Sequence, residues 1–523
     1  MKSLGLVLLS LFMSSAFAEG GKLRWGADIQ SGAPYSYKSP DDPNKVIGFE
    51  TDIVEAIGRE TGLEPEFVQN SWDGLIEGLN RGDYDIVING VEITEDRLQE
   101  VYFTEPYYYT SESLAVRQDN TNVHDLEDLK NHRVGTLEAS LAQRILKKQT
   151  FPLDVVPYSE EVNAYGDLAL GRIDAVLLDE PIALYYGKPN PALKLVGGPI
   201  GRLEYGIALR KNDGERAQLI NQTLHKLIVN GTVRAILEKW NLWNSLSADA
   251  WKMDATPQGK PDAYYKYLQT AWVERSFREK VEKYVSFLPL LARGALMTLE
   301  ISILSMALAM LVGLFAALGR LYGPRPTRWL AVAYVELWRG TPLLIQLYLI
   351  FYGLPHVGIQ LNPFLAAVIG LGLNYGACEA ENYRAGILSI PKSQMDASQA
   401  LGMSWSQSLF HIILPQAVRV VIPPVTNDFI ALLKDSSLVS VISMVELTTT
   451  YGQLASTYFD YLGIGLLTAA IYFLIGLPFV RLSRYFEHQM SASGIKSARG
   501  SSRKVPMPGA LRDMFARRYN LFF

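Results

Sequence analysis

The pattern of apolar and polar positions changes character near residue 285. Between residues 22 and 245, short apolar runs such as "DYDIVIN" and "IDAVLLD" alternate with helical stretches such as "TDIVEAIGRETG". Strands that alternate with helices are typical of α/β units that build a parallel sheet. We therefore predict that residues 22–245 form an α/β domain of two lobes with a largely parallel sheet.

Beyond residue 285 the apolar runs become much longer. A helix needs roughly 20 mostly apolar residues to span a membrane, and five runs qualify. They cover about 287–318, 329–354, 363–381, 420–445 and 459–480. The second and fourth runs contain charged residues and prolines, which argues for packing inside a helical bundle rather than exposure to lipid. The predicted fold class is thus an α/β two-lobed domain followed by an all-α membrane domain of five transmembrane helices.

Charge separates the same two halves and predicts their orientation. Residues 22–245 carry 35 Asp and Glu against 23 Lys and Arg, whereas the whole chain carries 53 against 49. The remainder is therefore basic. Lys and Arg lie in the loops after the first, third and fifth runs, and the loops after the second and fourth contain none. The positive-inside rule places the basic loops in the cytoplasm and residues 22–286 outside.

The first 18 residues agree with that orientation. They combine Lys2, an apolar stretch and the small-residue sequence Ala16-Phe17-Ala18, which is the pattern of a secretory signal peptide cleaved after Ala18. A transmembrane anchor is the weaker alternative, because the apolar stretch is too short to cross a bilayer.

Composition excludes some kinds of site. The single cysteine, Cys378, permits neither a disulfide framework nor a thiolate metal site. We expect no metal, no cofactor bound by this chain and no nucleic acid partner. The basic tail at 491–523 is expected to touch anionic lipid.

Two matched segments supply candidate binding residues. "GLNRGDYDIVINGVEIT" and "LALGRIDAVLLDEPIAL" share a glycine turn, a buried strand and polar residues after it. Ligands of open α/β sheets bind beyond the carboxyl ends of strands. Arg97 follows one strand end and Asp179 stands at the other, so together they could hold a zwitterion between two lobes. The alternative is that Asp179 caps a helix and Arg97 forms a surface ion pair.

Residues 22–245 resemble a periplasmic binding protein for polar amino acids. The resemblance rests on "APYSY", "IGFETDIVEAI", "WDGLIEGLNRGDYDIVINGVEITEDR", "YFTEPYY" and "GRIDAVLLDEPIALYY". It implies a two-lobed type II fold in which Arg97 holds the α-carboxylate of an L-amino acid and Asp179 its α-ammonium. It also implies that Trp72 stacks on the ligand, that the Gly90 carbonyl helps the ammonium, and that Tyr35 lies in an aromatic-rich first loop.

The sequence departs from this family pattern at two places. Glu92 stands where a Thr or Ser hydroxyl usually assists the carboxylate, and in "TLEASLAQ" only Ser140 matches the hydroxyl of the usual Gly/Thr-rich turn. Side-chain preference therefore does not transfer. The acidic residues around the predicted cleft favour a cationic side chain on Coulomb grounds. Alternatively, Glu92 pairs with Arg97 and leaves a site for a neutral polar amino acid.

Residues 285–490 resemble the permease subunit of ABC importers for polar amino acids such as His, Glu, Gln and Arg. The most specific motif lies within "EAENYRAGILSIPKSQMDASQALGMSWSQSLFHIILPQ", and "LWRGTPLLIQLYLIFYGLP" supports it. We call residues 396–415 the coupling elbow, predicted as a helix, a glycine turn and a second helix that begins near a proline. The resemblance implies that it docks on the ATPase. The residues at the motif positions are Asp396, Ala397, Gly402, Ile412, Leu414 and Pro415, with Asp396 in place of the usual Glu and Ser398 in place of the usual Ala.

The assembly follows from what the chain contains. No Gly-x-x-x-x-Gly-Lys-Ser/Thr phosphate loop occurs in it, so ATP and Mg²⁺ are expected on a separate ABC ATPase subunit. The resemblance implies a pore of two permease halves, hence a homodimer in the inner membrane. Residues 246–284 are predicted as a polar tether that turns into an amphipathic helix.

Two other functions could use the same binding domain. A ligand-gated channel would need a selectivity filter such as Thr-Val-Gly-Tyr-Gly, and the chain has none. A membrane sensor would need an output domain, such as a kinase, after the binding domain. The coupling elbow argues against both alternatives and favours the importer.

Overall fold

The computed structural model describes residues 21–271, 276–458 and 460–498. The predicted signal peptide (1–18) and most of the predicted basic tail (491–523) lie outside these residues. The described chain divides into two compact units. The first contains residues 21–308, Gly340–Leu373 and Leu433–Ile475, and the second contains Ala309–Arg339, Asn374–Leu432 and residues 476–498.

Two five-stranded sheets form the cores of the two lobes of residues 21–271, which we call the N-terminal domain. The strands, in chain order, are β1 (Lys22–Ala27), β2 (Tyr37–Lys38), β3 (Val46–Ile47), β4 (Glu64–Gln69), β5 (Ile86–Val87), β6 (Tyr102–Phe103), β7 (Tyr108–Arg117), β8 (Arg133–Leu137), β9 (Asp154–Tyr158), β10 (Ala175–Asp179), β11 (Leu193–Tyr205) and β12 (Ala208–Leu209). The order is β4-β1-β5-β12-β6 in the first lobe and β11-β7-β10-β8-β9 in the second.

The N-terminal domain also contains ten α-helices within its described residues. In chain order they are α1 (Phe49–Thr61), α2 (Leu75–Arg81), α3 (Glu95–Glu100), α4 (Leu141–Lys147), α5 (Glu161–Ala169), α6 (Glu180–Ile182), α7 (Gly214–Val229), α8 (Thr232–Lys239), α9 (Ser245–Trp251) and α10 (Asp262–Ala271). The two-lobed α/β fold predicted from the sequence is confirmed.

The sheets are less parallel than predicted. β1 pairs in parallel with β4 and β5, and β8 does so with β9 and β10. The strands β7, β11 and β12 all pair antiparallel. β7 and β12 each follow a passage of the chain from one lobe to the other, and they enter the new sheet in the opposite direction. The sequence pattern shows the βαβ units but not these passages.

The two matched segments fold alike. Gly82 and Gly171 both have positive φ, and each follows the end of a helix, where glycine adopts the left-handed conformation at low cost. The next turn in each lobe carries an aspartate, and its carboxylate accepts the backbone N–H of an arginine on the neighbouring strand. Asp85 does this for Arg24 at 3.1 Å and Asp174 for Arg133 at 2.8 Å. The repeated glycine and aspartate therefore form the same turn and the same strand contact in each lobe.

The predicted polar tether is largely part of the folded domain. The Ser247 hydroxyl of α9 donates to the carbonyl of Tyr109 on β7. Tyr264 and Tyr267 of α10 are buried in the main core cluster of the N-terminal domain. The aromatic residues at 243–267 explain the difference, because their apolar area stabilises packing far more than the intervening polar residues oppose it. The amphipathic helix predicted before residue 285 is the start of the first long helix.

The helical domain begins at residue 276. In chain order its helices are α11 (Phe277–Tyr322), α12 (Arg325–Gly340), α13 (Leu343–Tyr348), α14 (Pro363–Leu388), α15 (Lys392–Ala400), α16 (Trp405–Ser408), α17 (Leu414–Asp435), α18 (Leu447–Tyr458) and α19 (Tyr461–Ala498). Three helical stretches of the described chain are long and apolar enough to cross a membrane, namely Phe277–Tyr322, Trp405–Ile442 and Tyr461–Phe486. The prediction of an all-helical membrane domain is confirmed.

Two of the five apolar runs differ from a single straight span. The second run breaks after Gly340, where Pro342 has an extended backbone, because proline disfavours the helical conformation at the residue before it. In the fourth region the helical stretch begins at Trp405, well before residue 420, and it retains Pro423 and Pro424 within α17. Such prolines are tolerated in membrane helices.

A glycine at the start of α1 sets the position of the first loop. Gly48 has φ 150°, and a Cβ there would lie 1.7 Å from the carbonyl oxygen of Tyr35. We expect Gly48→Ala to lower the unfolding temperature of the N-terminal domain by about 10 °C, through backbone displacement as well as strain. The matched control is Gly62→Ala at the other end of α1, where φ is +73° and the added Cβ meets open space. In the control, backbone strain alone should lower the free energy of unfolding by about 1–2 kcal/mol. Thermal unfolding of the purified chain measures both, and equal shifts would contradict the steric argument.

Candidate binding cleft and coupling elbow

A small enclosed cavity lies where the two lobes meet. Its volume is about 10 Å³, which is room for roughly one water molecule. Its lining residues are Tyr35, Trp72, Asn89, Gly90, Glu92, Leu137, Ser140, Glu161, Leu178, Asp179 and Ile182. The lining therefore contains every predicted ligand-binding residue except Arg97, and the cleft is closed.

Arg97 lies behind Glu92 rather than on the wall of the cavity. It belongs to the first turn of α3, which Thr94 caps by accepting the backbone N–H of Arg97. Its Nη1 donates to the Glu92 carbonyl oxygen at 3.1 Å and also to the Glu92 carboxylate. The guanidinium carbon lies 5.5 Å from the centre of the Trp72 ring, within the range of a cation–π contact. Arg97 is thus paired with the neighbouring acid Glu92, as the alternative interpretation predicted, and this pair lies beside the cleft rather than on the outer surface.

Glu92 connects the two lobes. One carboxylate oxygen pairs with Arg97 of the first lobe, and the other accepts the backbone N–H of Leu141 in the second lobe at 3.1 Å. The Glu92 side chain is only 3% exposed and that of Arg97 is 16% exposed. A buried carboxylate of the chain itself therefore lies beside the predicted carboxylate-binding arginine.

Ser140 has a local structural role in addition to its place in the lining. Its hydroxyl donates to the Leu137 carbonyl at 2.8 Å and accepts the Gln143 backbone N–H at 3.2 Å, which caps α4. Gly90, the predicted source of a carbonyl for the ammonium, has φ +61° and donates its own N–H to the buried Glu50 at 2.6 Å. Burial raises the pKa of Glu50 to about 8.

Asp179 stands at the end of β10, inside a cage of hydroxyl groups. The Tyr35 hydroxyl donates to its carboxylate at 3.2 Å, and the Tyr205 hydroxyl donates to the same oxygen. Burial and, to a smaller extent, the charge of Glu92 raise the pKa of Asp179 to about 6. Hydrogen bonds from Tyr205 and Tyr35 oppose this shift.

Glu112 is a neighbour of Asp179 that sequence reasoning missed. The two residues are cross-strand partners on β7 and β10, and Glu112 is fully buried, with no hydrogen-bond partner for either carboxyl oxygen in the described chain. Burial and the Asp179 charge hold the pKa of Glu112 well above its usual range. The only sequence signal is an acidic residue inside an apolar strand. Glu161, also missed, is a buried acid of the cavity wall, and burial keeps its pKa well above its usual range.

The first lobe also contacts helical segments of the same compact unit. The Ser71 backbone N–H donates to the Ser443 hydroxyl at 3.3 Å, and the Tyr458 hydroxyl donates to the Ser39 carbonyl at 3.2 Å. The guanidinium carbon of Arg81 lies 4.1 Å from the centre of the Phe351 ring. These contacts attach the N-terminal domain to the segments 340–373 and 433–475.

A second and larger cavity lies beside these contacts. It has a volume of about 670 Å³, and Trp72 belongs to the walls of both cavities. We call it the outer cavity. Its lining residues are Asp28, Gln30, Ser71, Trp72, Asp73, Glu138, Ala139, Ser159, Glu160, Tyr348, Ser440 and Val441. It is large enough for an amino acid, and its walls come from both lobes and from the helical segments.

The coupling elbow has the helix–turn–helix form expected of it. Helix α15 carries Asp396 and Ala397, both exposed, and the chain turns at Gly402 with φ +86°. The second helix begins at Trp405, after a capping box between Ser404 and Gln407, rather than near a proline as predicted. Ile412, Leu414 and Pro415 lie within the continuous helical stretch that follows.

Known protein families match both the N-terminal domain and the helical domain. Residues 23–242 match the family model of bacterial extracellular solute-binding proteins, family 3, and residues 309–492 match that of binding-protein-dependent transport system inner membrane components. The chain is 44% identical to the L-cystine transport system permease protein TcyB of Bacillus subtilis, over 36% of this chain and 82% of the relative. It is 31% identical to the L-cystine-binding protein TcyJ of Escherichia coli, over 40% of this chain and 78% of the relative.

A solved structure of an ancestral arginine-binding protein bound to glutamine is 35% identical, covers 42% of this chain and 98% of its own, and has a TM-score of 0.40. The predicted fusion of a binding protein with an ABC permease of the amino acid branch is confirmed by the two relatives. In its N-terminal domain the chain belongs to the bacterial extracellular solute-binding proteins of family 3, and in its helical domain it belongs to the inner membrane components of binding-protein-dependent transport systems.

Proposed function

We propose that this chain captures an L-amino acid in the cleft between its lobes and passes it through its own helical domain. The observation that carries the proposal is the placement of Arg97 on one lobe and Asp179 on the other, beside one closed cavity. A guanidinium binds a carboxylate and a buried carboxylate binds an ammonium, so the two residues match the ends of an α-amino acid. The cystine-binding and cystine permease relatives support an amino acid as the solute.

The cleft must open to admit the ligand, because a cavity of about 10 Å³ holds about one water. The first lobe then contributes Tyr35, Trp72 and Gly90 to the wall of the cleft, and the second lobe contributes Asp179. The outer cavity provides room for the released amino acid next to Tyr348 and Ser440 of the helical segments. Because the first lobe is attached to these segments, the cleft stays next to the outer cavity.

The energy comes from an ABC ATPase subunit that docks on the coupling elbow and uses ATP and Mg²⁺. Three large apolar side chains of the elbow, Leu401, Trp405 and Phe410, are exposed. Exposed apolar groups that cluster on a cytoplasmic loop favour a protein partner. Since the chain carries one permease domain, we infer that two copies form the pore, with their N-terminal domains outside the inner membrane and their elbows in the cytoplasm.

The ammonium end of the clamp can be tested by Asp179→Asn, which keeps the size of the side chain and removes its charge. We expect affinity for the bound L-amino acid to fall about 100-fold, as for a buried charge that loses its partner. Titration calorimetry of the full chain in lipid nanodiscs with L-arginine, L-glutamine and L-cystine measures this. The matched control is Asp174→Asn on the approach to the same strand, outside the cavity wall. Unchanged affinity in Asp179→Asn would refute the assigned role.

The same residue predicts a pH dependence. The pKa of Asp179 in the closed cleft is about 6 because burial opposes its charge. Ligand ammonium binds the ionised carboxylate, so affinity should be constant above about pH 7 and fall up to about tenfold per pH unit below about pH 6. Calorimetry between pH 5 and pH 8 measures the profile. The Asp179→Asn chain should lack this inflection, and an inflection that persists there would assign the effect to another acid.

The elbow can be tested by Leu401→Asp. Leu401 is 84% exposed, so the change should leave the chain folded while it places a charge in an apolar contact. We expect at least a tenfold loss of ATPase co-purification and of ATP-driven uptake, with ligand affinity unchanged. Val357→Asp provides a control of equal chemistry at a 72% exposed position outside the elbow. Normal ATPase capture by Leu401→Asp would contradict docking at this loop.

A further inference from the structure

We propose that Glu92 makes the cleft select an amino acid of net positive charge, such as one with an amine or guanidinium side chain. This inference rests on the proposed function, in which Arg97 and Asp179 hold the two ends of an amino acid. It assigns the specificity to a residue that departs from the usual Thr or Ser of the family.

Glu92 and a ligand carboxylate would have to share Arg97. Both bonds from the Arg97 side chain to Glu92 leave from Nη1, and a guanidinium has five N–H donors. Arg97 can therefore bind a ligand carboxylate with its other donors while Glu92 keeps Nη1. Glu92 is held in place from the opposite lobe by the Leu141 N–H at 3.1 Å, so lobe closure keeps this carboxylate at the site.

The count of buried charges then leaves one negative charge in excess. The carboxylate and ammonium of an amino acid balance Arg97 and Asp179. Glu92 has no further cation, since none of the residues that line the closed cavity is Lys, Arg or His. An uncompensated charge in a closed, water-poor cleft is costly. A ligand whose side chain is a cation restores neutrality, whereas a neutral amino acid does not.

Two further observations favour the same charge. Glu161 is another buried acid in the cavity wall, and its carboxyl group can accept a hydrogen bond from a cationic side chain. The outer cavity carries Asp28, Asp73, Glu138 and Glu160, and its lining contains no basic residue. A cavity lined by one sign of charge raises the local concentration of the opposite ion. The proposed route out of the cleft thus also favours a cation.

The test compares each cationic amino acid with a neutral partner of similar shape. L-arginine is paired with L-citrulline, and L-lysine with L-norleucine. Affinities are measured by calorimetry at pH 7.5 on the full chain in nanodiscs. We expect at least one cationic amino acid to bind the native chain ten or more times more tightly than its neutral partner. Glu92→Gln, which can still accept the Leu141 N–H, should bring that ratio to within about threefold.

Controls separate the site from general electrostatics and from folding. Glu95→Gln removes the same charge three residues away, at an exposed position of α3, and should leave the ratio unchanged. Glu92→Thr serves as a second variant if Glu92→Gln folds poorly. It should also lower the ratio of cationic to neutral affinity.

The outcomes separate this inference from the proposed function. Neutral partners that bind the native chain as tightly as the cations, or a ratio that neither Glu92 variant changes, would overturn the role of Glu92 and leave the amino acid function intact. Failure of L-cystine and of all twenty amino acids to bind a folded native chain would overturn the proposed function and this inference together.

Discussion

The carboxylate of Glu92 is bonded by both lobes at once, and the closed cleft is built around it. One of its oxygens faces the Arg97 guanidinium and the other accepts the Leu141 N–H. A carboxylate of the chain therefore bridges the lobes beside the arginine that is proposed to hold the ligand carboxylate. Because it is covalently attached, it forms this contact without the translational entropy cost that a free ligand bears on binding. The ligand must consequently add interactions to this arrangement rather than create it.

Much of the cleft could be predicted from the chain. The glycine turns at Gly82 and Gly171 and the buried runs after them mark where two strands end, and polar residues at strand ends meet in this class of fold. This pattern points to Asp179, whereas Tyr35, Trp72, Gly90 and Ser140 are implied by the family resemblance, and all five line one cavity. Glu112 and Tyr205 could not be found in this way, because antiparallel pairing across β7, β10 and β11 brings them to Asp179 from distant parts of the chain. Such register is set by the whole sheet and not by local pattern.

The helical half shows a different limit of sequence reasoning. Hydropathy locates apolar runs but is insensitive to where a helix bends or how far it continues into polar sequence. Thus α11 begins at Phe277, well before its apolar part, and the second run divides at Pro342 although both sides remain helical. The helix–turn–helix form of the coupling elbow could be predicted because its glycine and its spacing are local features. Its second helix starts at the Ser404 cap rather than near Pro415, since a capping box satisfies the first N–H groups of the helix.

Fusion of the two halves constrains how the cleft can open. The described bonds to Ser443 and Tyr458 and the ring contact of Arg81 all come from the first lobe. An opening that keeps these contacts must move the second lobe, which carries Asp179 and the Leu141 N–H. The second lobe also supplies Glu138 and Glu160 to the outer cavity, so the same movement that separates Asp179 from Tyr35 changes the width of the outer cavity. In the proposed function, the movement that releases Glu92 from Leu141 therefore also changes access to the helical segments, and no detached binding protein has to find the permease.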